Sequence, residues 1–192
     1  MRKTNLLFLV ESAIFSTLAY ILDLFSMFLT SRFWPQGGSV SIAMLPIFII
    51  SYRWGLKGGL FSGFLLGMLQ VVTGTAYVAQ PVQGFIDYFL AFALVGFAGV
   101  FARQVQEGLQ NGNIVKWATF AVFGVILGGS LRFLAHFVAG IAFFAEYAPE
   151  GQPVVIYSLV YNGGYMSIST IICAILSVMV LSAIPKKYFA TA

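Results

Sequence analysis

Apolar runs of about 20 residues, the length a helix needs to cross a bilayer, follow one another along almost the whole chain. Only 8% of the 192 residues are charged and the mean hydropathy is +0.94, so little sequence is left from which to build a soluble module. Strand-period alternation is absent, which argues against an outer-membrane barrel. The expected class is therefore an all-α, polytopic membrane protein, with residues 1–192 forming a single membrane-embedded domain. The first apolar run, Leu6 to Leu29, is too long for a signal peptide, which has a shorter apolar core followed by a small-residue cleavage site; it reads as the first span. Cys173 is the single cysteine. It allows neither an internal disulfide nor a cysteine metal cluster, and in an apolar helix it reads as a small core residue.

Six spans fit the pattern, at 6–29, 41–53, 56–73, 83–106, 115–138 and 155–184. The second is short for a hydrocarbon layer of roughly 30 Å, with Ser39–Ser41 as an extended lead-in. Charge tests this division. With the N-terminus inside, the inner segments hold Arg2 and Lys3, Arg53 and Lys57, Arg103 and Lys116, and Lys186 and Lys187. The outer loops hold Arg32 as their one basic residue, with Glu146 and Glu150. That asymmetry predicts six transmembrane helices with both N- and C-termini cytoplasmic. The formal charge of +4 is accounted for by topology, and nucleic acid is not expected as a partner. The outer loops TSRFWPQGGS (30–39), GTAYVAQPV (74–82) and GIAFFAEYAPEGQP (140–153) mix aromatics with Gly, Pro and Gln. Some of those aromatics are accounted for as an interfacial belt.

Three polar residues lie inside the apolar runs: Asp87, His136 and Asn162. Such groups are costly in hydrocarbon unless they pair or line a cavity. At about 1.5 Å rise per residue, all three fall at similar depth in the outer half of the membrane, which is the pattern of a pocket open to the outside. Each has a structural alternative: Asp87 neutralising Arg132, His136 as an interfacial histidine, Asn162 as an interhelical staple. Arg132 lies one turn before His136 and shares its face. Asp23 is its preferred partner, which would leave Asp87 free for a ligand. A carboxylate among Trp34, Tyr77, Tyr88, Phe143, Phe144, Tyr147 and Tyr157 suits a flat organic cation, since aromatic faces attract positive charge. Asn162 and His136 add directional hydrogen bonding that a heteroaromatic ring can use.

Gly55, Gly59, Gly63 and Gly67 recur every fourth residue, and Gly124 and Gly128 repeat the spacing. Such stripes permit close helix approach, either within the bundle or to another membrane subunit. Ser12 with Ser16 and Ala13 with Thr17 make a small face on the first span. No phosphate-binding GxxxxGK[ST] or HExxH motif is present, and one His with one Cys offers no plausible zinc site. Ser158, His136 and Asp87 could be drawn as a hydrolytic set, but no nucleophile elbow supports an intramembrane hydrolase. No inverted repeat of the secondary-transporter kind is visible. What remains is a binding protein without its own energy source.

Several blocks, in order along nearly the whole length, carry a family resemblance: PQGGSVSI (35–42), MLPIF (44–48), SYRWGLKGGL (51–60), PVQGFIDY (81–88), LRFLAHFVAGIAFF (131–144) and YSLVYNGGYM (157–166). The chain resembles the thiamine-specific substrate-binding (S) components of energy-coupling factor transporters, the ThiT (YuaJ) family. The resemblance implies a six-helix protein of the bacterial cell membrane that is not an enzyme and binds thiamine with high affinity from outside. Its implied partners are a transmembrane coupling subunit and two ATP-binding cassette ATPases. ATP would be used by those partners, with no cofactor in this chain. The family's binding residues match Asp87 (Glu in some members), His136, Gly140, Phe144 (Trp in some), Tyr157, Asn162, Tyr77 and Trp34, with Tyr88 beside the carboxylate. The family's AxxxA coupling face is approximated by Ala13 and Thr17. An S component or carrier for another vitamin or quaternary amine is the alternative.

Overall fold

The protein is described from a computed structural model that covers residues 2–34 and 37–190. Met1, Pro35, Gln36, Thr191 and Ala192 lie outside the described residues, as do the side chains of Arg2, Lys3 and Ala190. Both ends of the expected 1–192 domain, the first two residues of the 35–42 block and the basic side chains of the N-terminal segment thus lie outside the described residues.

Five helical elements are long and apolar enough to cross a membrane: α1 (Arg2–Thr30), α2 (Met44–Val72), α3 (Pro81–Gln110), α4 (Ile114–Phe143) and α5 (Val154–Ala183). Among the described residues there is no strand. In lipid every backbone polar group must be satisfied within the chain, and helices do this locally. The prolines respect that demand. Pro46 and Pro81 lie in first turns, Pro153 caps α5, and Pro185 follows its end, where a missing N–H costs nothing. Asn113 caps α4 by accepting from the Lys116 backbone N–H at 2.9 Å, a favourable N-cap arrangement.

The expected spans at 41–53 and 56–73 form one helical element, α2, broken at Gly55 (φ 69°, ψ −163°). That φ favours glycine. The contacts of α1 show what the break does. Asp23 receives hydrogen bonds from Ser41, just before α2, and from Gln70, near its end. Glu11, about three turns earlier on α1, is met instead by Arg53 and Trp54 at the middle of α2. The two halves of α2 therefore run in opposite directions, with Gly55 at the reversal.

The glycine stripe is used inside the bundle. A Cβ on Gly63 would fall on the Phe92 carbonyl, and one on Gly67 on the Tyr88 carbonyl; Gly59 lies against Gly96. Gly124 leaves room for the Tyr52 ring, whose hydroxyl donates to the Ala121 carbonyl at 2.6 Å, and Gly128 sits under Val95. Ser12, Ser16, Ala19 and Asp23 form the buried face of α1, and Ser16 Oγ donates to the Ser62 carbonyl at 2.9 Å. Ala13 and Thr17 are exposed on the other side. Helix α3 is irregular: Phe85–Leu90 is a π-helical stretch and Gly96–Phe101 a 3₁₀ one. Asp87 sits in the π turn. Such turns re-aim side chains and frequently mark functional positions.

Candidate ligand-binding site

A cavity at one end of the bundle is walled by α1, α2, α3, α4 and α5 and by the loops before α2 and before α3. Asp87 and His136 meet at its centre. Asp87 Oδ1 lies 2.8 Å from His136 Nδ1, and Oδ2 accepts from Gln83 Nε2 at 2.7 Å. Arg132 Nε donates to His136 Nε2 at 3.2 Å. Arginine can only donate, so Nε2 is the acceptor, Nδ1 carries the proton, and the imidazole is neutral. The Arg132 guanidinium also lies 4.0 Å over the Phe92 ring, a cation–π contact.

This corrects the expected pairing of Arg132. Neither Asp23 nor Asp87 is within ion-pair distance of it, although Asp23 attracts it electrostatically at longer range. Its hydrogen bond goes to the histidine one turn away, where helical geometry aligns the two side chains. Asp23 is instead satisfied by the Ser41 hydroxyl, at 2.6 Å, and by the Gln70 amide. Nor is Asp87 free, since both of its oxygens are already met. Both aspartates accept hydrogen bonds on each carboxyl oxygen. The charged side chains lining the cavity are Asp23, Asp87 and Arg132, which with a neutral His136 give a formal charge of −1.

Aromatic side chains close the cavity on the loop side. Tyr77 and Phe144 have ring centroids 6.2 Å apart, and the Tyr77 and Tyr147 hydroxyls share a hydrogen bond of 3.2 Å. That bond pushes the Tyr147 phenol up to about 12, so it is neutral at physiological pH. Tyr88 Oη accepts from the Tyr77 backbone N–H at 2.6 Å. Gln83 Nε2 donates to the Tyr77 carbonyl at 3.2 Å, and its Oε1 accepts from the Ala79 backbone N–H at 2.9 Å. The loop before α3 is therefore fastened to the residues that hold Asp87.

On α5, Asn162 Nδ2 donates to the Ser158 carbonyl and hydroxyl at 3.0 and 3.1 Å, and Asn162 Oδ1 accepts from Tyr165 at 2.9 Å. Gly140 completes this wall: a Cβ there would fall on Ser158 Oγ and lie 2.9 Å from Asn162 Nδ2. Tyr157, half-buried, lines the cavity beside Tyr161.

Asp87, His136, Asn162, Tyr157, Phe144, Tyr77, Gly140 and Tyr88 all line this one cavity. Trp34 does not. It packs one layer out, edge-on to Tyr165 at 6.1 Å. Asp23, Gln70, Gln83, Phe92, Tyr161 and Tyr165 also line the cavity and were not anticipated as lining residues. Two signals were available. Gln83 precedes Asp87 by one turn, and Tyr157, Tyr161 and Tyr165 recur every fourth residue on one face of α5. Among the described residues, no three His, Cys, Asp or Glu side chains gather where they could hold a metal ion.

The family model described as Thiamine transporter protein (Thia_YuaJ) matches residues 9–189. The thiamine transporter ThiT of Bacillus subtilis is 45% identical over 186 residues, spanning 96% of this chain and 95% of that protein. The thiamine transporter ThiT of Lacticaseibacillus paracasei is 32% identical over 154 residues, 79% of this chain and 77% of its own length. A solved structure of ThiT from Listeria monocytogenes superimposes with a TM-score of 0.88 at 33% identity, covering 96% of this chain and 98% of that one.

Proposed function

The chain belongs to the thiamine transporter protein (Thia_YuaJ) family, and from that premise we propose that it captures thiamine in the cavity around Asp87 for import across the bacterial plasma membrane. The observation that carries this reading is an aromatic-walled cavity lined by two acidic side chains and one guanidinium, a formal excess of one negative charge. Thiamine's thiazolium is a permanent cation, so its entry neutralises the wall, and the surrounding rings add cation–π attraction. In this reading Asp87 offsets the thiazolium charge, and Phe144 and His136 flank the rings. Tyr77, Tyr157 and Asn162 fix orientation, with Tyr88 and Gly140 shaping the wall. Trp34 acts through Tyr165, as an outer cover.

Energy comes from partners: a transmembrane coupling subunit and two ATP-binding cassette ATPases, which hydrolyse the ATP. This chain itself has no phosphate-binding loop motif. The exposed Ala13 and Thr17 on α1 are small enough for close approach of a partner helix. The proposed topology has six crossings and cytoplasmic termini. It is supported by the reversal of α2 at Gly55 and by the basic residues gathered at the end of the bundle opposite the cavity.

Competition binding tests the ligand. Purified protein loaded with labelled thiamine should release it to pyrithiamine, which keeps a cationic ring, far more readily than to riboflavin, which has none. Equal displacement by riboflavin would transfer the assignment to another vitamin.

A further inference from the structure

At the end of the bundle away from the cavity, α1 and the second half of α2 leave a groove of about 510 Å³ between them. Phe8 and Leu9 of α1 and Leu60 and Phe61 of α2 wall it, and the Phe8 and Phe61 rings stack at 5.7 Å. Lys57 stands at the end of the groove nearest the Gly55 turn. Its side chain is exposed, its ammonium lies 5.5 Å from the Phe8 ring centroid, and among the described residues it forms no ion pair. The carboxylate best placed to meet it, Glu11, is already held by Arg53 and Trp54. Arg103, Lys116, Lys186 and Lys187 belong to the same end: Gln106 Nε2 donates to the Tyr52 and Arg53 carbonyls, and a Cβ on Gly112 would lie 3.4 Å from Lys186 Nζ.

We propose that this groove binds an anionic phospholipid, with the phosphate on Lys57 and an acyl chain along Phe8, Leu60 and Phe61. The shape of the site matches the shape of a lipid: a cation at the membrane surface, continuous with an apolar trough that faces outward. An unpaired ammonium beside hydrocarbon calls for an anion that brings its own hydrocarbon, and an anionic lipid supplies both. A zwitterionic lipid carries its own ammonium, which competes with Lys57 for the phosphate. The site is separate from the thiamine cavity and does not depend on its assignment.

Trp54 provides the readout, because its ring meets Phe8 edge-on at 5.5 Å. The full chain carrying Trp34→Phe and Trp117→Phe is placed in phosphatidylcholine vesicles doped with lipid brominated on its acyl chains. Brominated phosphatidylglycerol should occupy the groove about fivefold more effectively than brominated phosphatidylcholine at low salt, the preference expected of one lysine near an anionic surface, and should quench Trp54 accordingly. Lys57→Gln should abolish the preference while leaving thiamine affinity unchanged, and Lys57→Arg should keep it. Native mass spectrometry of the protein with all its tryptophans, scoring retained phosphatidylglycerol against phosphatidylcholine, gives the same comparison if the tryptophan substitutions disturb folding. Equal binding of the two lipids, or a phosphatidylglycerol preference that survives Lys57→Gln, overturns the site.

Discussion

Asp87 presents both oxygens to donors, Gln83 on one side and His136 on the other, and this sets what its substitution does. Asp87→Asn keeps the shape, removes the charge and places an amide N–H where an acceptor is needed. Thiamine affinity should fall by about 2–3 kcal/mol, the loss typical of a desolvated charge pair, as read by equilibrium dialysis of variant and parent. Unchanged affinity would make Asp87 a structural partner of His136. Asp87, His136 and Asn162 were legible in the sequence because each is polar in an apolar run, where chance placement is costly. The partner of Arg132 was not. Helical spacing offered only His136, one turn on in α4, whereas a buried guanidinium reads first as the partner of a carboxylate; that both aspartates find other donors is visible only once the helices are packed. Gln83 and Tyr165 were hidden for a related reason. Their spacing, one turn before Asp87 and every fourth residue along α5, puts each on a shared helix face, but a face points at a cavity only once the neighbouring helices are placed.

At the scale of elements, the long helices and their ends follow from apolar length and proline position. The division drawn between residues 53 and 56 falls on Gly55. The glycine stripe left two readings open, and packing against α3 answers for Gly59, Gly63 and Gly67. Gly63→Val should lower the thermal midpoint of the detergent-solubilised protein, because its side chain must push α2 off the Phe92 carbonyl; overpacking of this kind typically costs about 1–3 kcal/mol. Gly74 is the control. Unlike Gly63 it has positive φ, a region asparagine tolerates, and nothing lies within 4 Å of its Cβ position, so Gly74→Asn should shift the midpoint much less. Equal midpoints for the parent and Gly63→Val would remove the close α2–α3 contact from the explanation of stability. The π-helical turn around Asp87 had no sequence signature. It is a local backbone adjustment within an otherwise ordinary apolar run, visible only once α3 is seen against α2.

For the whole molecule, orientation and ligand are the two properties that join fold to transport. Cysteines introduced at Asn111 and Glu150 in a Cys173→Ala background should react with a membrane-impermeant reagent at Glu150 only, in intact cells, with Asn111 becoming reactive once the cells are opened. Reaction at Asn111 in intact cells would reverse the proposed topology. The ligand rests on a balance of charge: two carboxylates and one guanidinium around a neutral imidazole, completed by one permanent cation. The most direct measurement is a calorimetric titration of the folded, purified protein with thiamine. One site should saturate with submicromolar affinity, a binding free energy beyond about −8 kcal/mol. No detectable heat of saturation with thiamine at roughly 100 μM, far weaker than a scavenging receptor needs, would contradict the assignment of this cavity to thiamine.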